Sequence, residues 1–319
     1  MTLNLRELEL KLEQSSNDVE RLTALLDLGD VLVNTDFVEG WKLSSEAIEL
    51  ATKINNREGL AHAHEINGNS LWKLAEFTTA MENLEIALDK YLGLGDLYGV
   101  SRCYCGLGVI AGSLEQYAPA LDYFEEGLSA ARRADRPQMA ATLTGNIGHV
   151  YFKTGRYKEA MECFQHGLEF YKEVGNHHGS GNMLSGMAGI KVYLGDYDEG
   201  IELTRRALAL HKKAKHQRGI GVTMMNLGIA LHKKGKLDAA KTELKSALNY
   251  ARSIDLKMTE HDILKNLSEL CSDMGLEDEA SEYLRAYIDS QQEEKKLSVA
   301  RKAEQFRQRQ SIRNARSAK

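Results

Sequence analysis

The stretch NLGIALHKKGKLDAAKTELKSAL, residues 226–248, holds in one copy the pattern that organises most of the chain. Asn226-Leu227-Gly228 sets a small residue inside a helical run, and Gly235 breaks that run. Leu237 opens a second run, in which Ala240 follows three residues later and Ala247-Leu248 seven after that. Spacings of three, four and seven place residues on one face of a helix. Glycine at 235 suits a helix C-terminus, where the backbone enters the left-handed conformation. The stretch therefore predicts a helix, a tight turn and a second, antiparallel helix.

Steps of 40 residues from Leu237 find the same frame seven times without insertion, at Phe37, Phe77, Tyr117, Tyr157, Tyr197, Leu237 and Glu277. Two residues earlier lies the turn position, which is glycine at 155, 195, 235 and 275 and Thr35, Ala75 and Glu115 elsewhere. Three residues after the opening residue comes a small one: Gly40, Ala80, Ala120, Ala160, Gly200, Ala240 and Ala280. Seven further on stand Ala47, Ala87, Gly127, Gly167, Ala207 and Ala247, with Tyr287 as the exception, each followed by leucine or isoleucine. The first helix repeats the motif at Gly68, Gly108, Gly148, Ala188, Gly228 and Ser268, with Leu28 off pattern. Helices approach closely only where side chains are small, so these columns mark crossings, and the aliphatic column is expected to fill the seam beside them. Glycine inside a helix costs up to about 1 kcal/mol against alanine, so its return at one register implies a steric reason. A further glycine column, Gly59, Gly99, Gly179 and Gly219, follows polar turns that separate one pair from the next.

These residues, Asn226-Leu227-Gly228 with Gly235, Ala240 and Ala247-Leu248, resemble the tetratricopeptide repeat signature, whose minimal unit is 34 residues. The 40-residue version resembles the longer-helix subtype of Pins-type scaffolds, kinesin light chains and bacterial regulators of the MalT and Rap kind. The resemblance implies an all-α fold, a right-handed α-α superhelix of about seven helix-turn-helix repeats. It divides the chain into an N-terminal capping helix (residues 1–17), seven repeats (18–292) and a basic helical extension or tail (293–319).

Composition agrees with that class. The 319 residues include only two prolines, which break helix interiors, and 7% aromatics, few for a β-sandwich. Cys103, Cys105, Cys163 and Cys271 show neither a disulfide framework nor a paired zinc spacing, and they read as reduced, buried thiols. No apolar run has membrane-spanning length and the N-terminus lacks a signal-like apolar stretch, so the expected location is the cytoplasm. Net charge is −5, but Glu293–Lys319 carries nine Lys/Arg against three Glu. That tail reads as a solvated helix end or disordered segment, a signalling helix leading to a partner or output domain, or a nucleic-acid or anionic-lipid contact, the last without aromatic interleaving to support it.

In the resembling family the first helix of each pair lines a concave groove. Carried over position by position, the partner-binding candidates are His62, Asn69, Lys73, Arg102, Asn146, His149, Lys153, Asn182, Tyr193, Asn226, His232, Lys233 and Asn266. Asn146, Asn226 and Asn266 share a column where related repeats grip a peptide backbone, since an amide donates and accepts at once; the alternative is a bond to a neighbouring helix. Lys73, Arg102, Lys153 and Lys233, with His149 and His232, give the candidate groove a positive tilt that favours an acidic segment. His177-His178 reads as a loop pair too small to hold a metal. No phosphate loop, metalloprotease motif or nucleophile elbow is present in the sequence. A Rap-like phosphatase would need a helical bundle ahead of the repeats, where only about 17 residues stand. The expected function is a non-enzymatic adaptor that binds a protein or peptide, without cofactor, metal or small-molecule substrate. The alternative is a regulatory sensor module whose C-terminal helix couples to an output partner.

Overall fold

The structure, a computed structural model, describes residues 5–296 apart from Asn34 and Glu294. All regular structure among the described residues is helical. The helices are α1 (Leu5–Glu13), α2 (Asp18–Leu32), α3 (Phe37–Lys53), α4 (Arg57–Lys73), α5 (Phe77–Leu94), α6 (Leu97–Ser113), α7 (Tyr117–Arg133), α8 (Pro137–Lys153), α9 (Tyr157–Glu173), α10 (His177–Tyr193), α11 (Tyr197–Lys213), α12 (Gln217–Lys233), α13 (Leu237–Ser253) and α14 (Lys257–Asp273). A last helix, α15, covers 277–293. The seven predicted opening residues are each the first residue of a helix.

The chain divides into two compact units, Met1–Phe170 and Tyr171–Lys319. In the first, α1 lies on α2, and α2–α3, α4–α5 and α6–α7 pack as successive pairs. Each first helix there also meets the next first helix, α2 to α4, α4 to α6 and α6 to α8. The second unit repeats the scheme with α10–α11 and α12–α13, and with α10, α12 and α14 in contact in turn. Each helix thus buries its apolar stripe against near neighbours, which is how a solenoid is held together.

Two kinds of turn punctuate the array. At the turn inside each pair the backbone is left-handed at Gly155, Gly195, Gly235 and Gly275, and also at Ala75 (φ 58°) and Glu115 (φ 59°). The bond pattern holds them there. After α8, the Gly155 N–H donates to the Phe152 carbonyl and the Arg156 N–H to the Tyr151 carbonyl, satisfying two orphan carbonyls of the helix end. The Ala75 turn makes the same pair of bonds, to Trp72 and Leu71. Between pairs, Asn56, Asp96 and Asn176 act as N-caps, their side chains accepting from the N–H of Gly59, Gly99 and Gly179.

The small columns face neighbouring helices. Ala47, Ala80, Ala87, Ala120, Ala160, Ala207, Ala240 and Ala247 are fully buried. The aliphatic column behaves differently from expectation. Only Leu168 and Leu248 are buried; Ile48, Leu88, Leu128 and Leu208 are half-buried, and Ile288 is exposed. The seam is filled from another column, Leu84, Phe124, Phe164 and Leu244, all buried. A Cβ added at Gly68, Gly108, Gly148 or Gly228 would meet Leu84, Phe124, Phe164 or Leu244 respectively, at 3.1 Å or less. Of the three repeats with a larger residue in the glycine column, those with Leu28 and Ala188 carry the smaller Ser44 and Thr204 in the partner column; the third, with Ser268, has Leu284, which is 47% exposed. Where the partner is buried, volume is conserved across the crossing, as a close-packed interior requires. Gly93 supplies the contrast: it is an exposed residue of α5 with nothing within 4 Å of an added Cβ. Gly93→Ala is expected to stabilise the fold by about 0.5 kcal/mol, the propensity gain discounted for its place in the last turn, read as a rise in urea midpoint.

One further expectation is corrected by the structure, and one falls largely outside it. His177 and His178 do not lie in a loop; they are the first two residues of α10. The last helix is described over 277–293, and the basic extension or tail expected for 293–319 lies almost wholly outside the described residues.

Candidate functional site

The thirteen groove candidates all stand on the first helices of pairs, α4, α6, α8, α10, α12 and α14. In the 40-residue frame they fall into four main columns. His62, Arg102 and Asn182 share one; Asn146, Asn226 and Asn266 share the next; Asn69 and His149 the third; Lys73, Lys153, Tyr193 and Lys233 the fourth, with His232 one place before it. Steps of four, three and four residues put these columns on a single stripe of each helix. Asn182, His149, Lys153, Lys233 and Tyr193 are exposed, Tyr193 at 66%, and the others are half-buried.

In the first unit the stripe is anchored by an ion pair that crosses repeats. Arg102 on α6 reaches Glu65 on α4 with both arms of its fork, Nε at 2.7 Å and an Nη at 2.8 Å. The Tyr91 hydroxyl donates to the same carboxylate at 2.9 Å, and the Arg102 guanidinium lies 4.5 Å from the Tyr98 ring centre. The Glu65 side chain is only 7% exposed. Burial and the Glu65 charge hold the Tyr91 hydroxyl far above its ordinary range, so it stays a donor. Arg102 is therefore not a free cation on the stripe. Nearby, burial pushes the Cys105 thiol up to about 12, which keeps it protonated, and the Asn146 amide lies 3.4 Å from its sulfur. His62 bonds Asp30 at 3.0 Å; burial opposes its protonation, but the bond and charge of Asp30 outweigh that and raise its pKa. The Lys73 ammonium sits 5.2 Å from the Trp72 ring centre, and His149 meets Phe164 edge-on at 4.8 Å.

In the second unit, His232 bonds Asp273 at 2.8 Å, and Asn266 donates to the Asp262 carbonyl of its own helix at 2.7 Å. Asn182 lies 3.4 Å from the Nε2 of His178. Asn226 is half-buried and makes no side-chain hydrogen bond among the described residues. The asparagine column is thus mixed: one amide on a thiol, one turned back on its helix, one with its capacity unspent. The positive tilt expected from the sequence is smaller in the structure, because Arg102 and His232 each face a carboxylate. Lys153 and Lys233 remain exposed. Glu65 is legible in the sequence as an exception: its column otherwise holds Leu25, Cys105, Gly145, Ser185 and Met225 before Lys265, so an acid there needs a partner.

Three stretches match the tetratricopeptide repeat family, residues 101–133, 140–174 and 179–253. No curated protein sequence matches the chain. Among solved structures, it is similar to a Rap protein complexed with Competence and Sporulation Factor, at a TM-score of 0.75 and 16% identity over 92% of this chain and 80% of that one. It is similar to the Rap conjugation gene regulator of plasmid pLS20 in complex with the Phr* peptide, at 0.71 and 14% over 90% and 79%. Aspartyl phosphate phosphatase F from Bacillus subtilis gives 0.66 and 15% over 91% and 77%. At such identities the likeness is one of fold. Among the described residues, no helix is long and apolar enough to cross a membrane.

Proposed function

We propose that this chain, a tetratricopeptide-repeat protein, is a peptide-binding regulatory adaptor whose first helices present the recognition stripe. The observation that carries the reading is the asparagine column, above all the half-buried, unengaged amide of Asn226 on the same face of α12 as the exposed Lys233. An amide so placed donates to a peptide carbonyl and accepts from a peptide N–H at once. Two of the solved structures with this fold hold a signalling factor or peptide, which favours a peptide over a folded domain. The exposed lysines favour a segment with acidic character, through charge-assisted bonds that added salt weakens.

Peptides selected on the wild-type protein from a random display library provide the test. Asn146→Ala with Asn226→Ala is expected to weaken the selected peptides at least tenfold while far-UV circular dichroism is unchanged. Equal affinity in the double variant would remove the asparagine column from the reading.

A further inference from the structure

Three histidines on successive helix ends converge in the second unit. His178 is in the first turn of α10, His211 in the last turn of α11, and His216 is the N-cap of α12. Their ring centres lie 3.9 to 5.7 Å apart, and one ring nitrogen from each falls within 4.8 Å of the others. His211 is 1% exposed. Its Nδ1, and that of His178, are buried without a hydrogen-bond partner. Buried polar atoms are nearly always paired, so two orphans side by side call for a ligand.

The repeat frame sharpens the point, because each histidine breaks a different column. His211 stands where other repeats have Tyr91 and Tyr171, alanine at 51, 131 and 251, and Gln291. His216 stands where Asn56, Asp96 and Asn176 cap their helices, and histidine is not among the preferred caps. His178 stands where Glu58, Tyr98, Gln138 and Arg218 are found. Ordinary packing and capping are met elsewhere by other residue types, yet all three departures meet at one place. Glycines make the room: an added Cβ at Gly181 would lie 2.8 Å from the His211 ring, and one at Gly219 within 2.6 Å of the Nδ1 atoms of both His211 and His216.

We propose that His178, His211 and His216 form a binding site for a borderline divalent transition-metal ion, with Zn2+ as its representative. Three imidazoles with no carboxylate in the set suit Zn2+, Ni2+, Cu2+ or Co2+ and not Ca2+ or Mg2+. Bonds of about 2.0–2.1 Å in a tetrahedral site put ligand nitrogens about 3.4 Å apart, so the rings close in by side-chain rotation on loading. His216 exchanges its cap bond, in which Nδ1 accepts from the Gly219 N–H at 3.0 Å, for the ion. The Asn182 amide nitrogen lies 3.4 Å from His178 Nε2, and a turn of that amide on loading would let its carbonyl oxygen accept from Nε2–H, leaving the Nδ1 lone pair for the ion. A fourth position is left for water or an anion. Burial first, then repulsion from the other two rings, lowers His211 to about 4; burial, His178 and Arg218 bring His216 to about 4, and burial lowers His178. All three rings are then neutral at pH 7, the form that ligates.

The test uses the full chain without a polyhistidine tag, titrated with Zn2+ by calorimetry and with Co2+ by its visible spectrum. The wild type is expected to bind one ion per chain, to gain Tm with Zn2+ and not with Mg2+, and to give the intense spectrum of tetrahedral Co2+. His216→Asn restores the cap that Asn56 and Asn176 supply in two other repeats, so it is expected to keep the fold while Zn2+ affinity falls at least tenfold. His178→Gln is expected to do the same. A folded wild type without saturable Zn2+ binding, or undiminished binding in both variants, would show that the three rings are only stacked and overturn the site.

Discussion

Gly108→Val is expected to lower the stability of the first unit by about 3 kcal/mol, the upper end of what overpacking costs. In the wild type an added Cβ at 108 would lie 2.5, 2.6 and 2.9 Å from ring atoms of Phe124, and Phe124 is itself 3% exposed with nowhere to turn. Helix propensity pulls the other way, by a few tenths of a kcal/mol in favour of valine, and is too small to decide the sign. The measurement is a urea titration followed by circular dichroism, where a midpoint within error of wild type would refute the close approach. A double-mutant cycle adds a sharper check. Gly108→Ala with Phe124→Thr installs the residue types that Ala188 and Thr204 supply at the same two columns. The pair is expected to cost less than the sum of its single changes, because the volume gained on one helix is given up on the other.

Arg102→Met is expected to cost about 3 kcal/mol, the lower end for breaking a buried ion pair, since Arg102 keeps 27% of its side chain in solvent. It strands the Glu65 carboxylate, 7% exposed, with the Tyr91 hydroxyl as its remaining partner. Glu65→Leu together with Arg102→Met is expected to recover most of that loss, because two apolar groups replace two charges and no unpaired one is left behind. Thermal unfolding of the three variants and wild type decides it: a double variant no more stable than Arg102→Met alone would mean that shape, and not the stranded charge, sets the cost. Glu65→Leu with Arg102→Met also bears on recognition. If Arg102 contacted an acidic ligand directly, a refolded double variant would lose binding; held by Glu65, it is expected to leave the affinity for selected peptides within about threefold.

The amino-acid sequence by itself settled the class of fold and the phase of every pair. In an array where each helix touches only near neighbours, the same contact recurs at the same register, so a period of 40 with fixed small residues is legible without coordinates. It also put the left-handed turns at Gly155, Gly195, Gly235 and Gly275, where backbone sterics leave glycine the easy choice. What the tertiary structure alone decided lies off the period. The partner of Glu65 is 37 positions away on the next first helix, and the three histidines come from three helices and three different columns. Such meetings depend on how far a long side chain reaches across a crossing and which rotamer the neighbours permit, and neither is written in the spacing. The aliphatic column shows the same limit from the other side: its register was plain, but whether it or the leucine and phenylalanine column filled the seam was fixed by the direction of the Cα–Cβ bonds once the helices had packed.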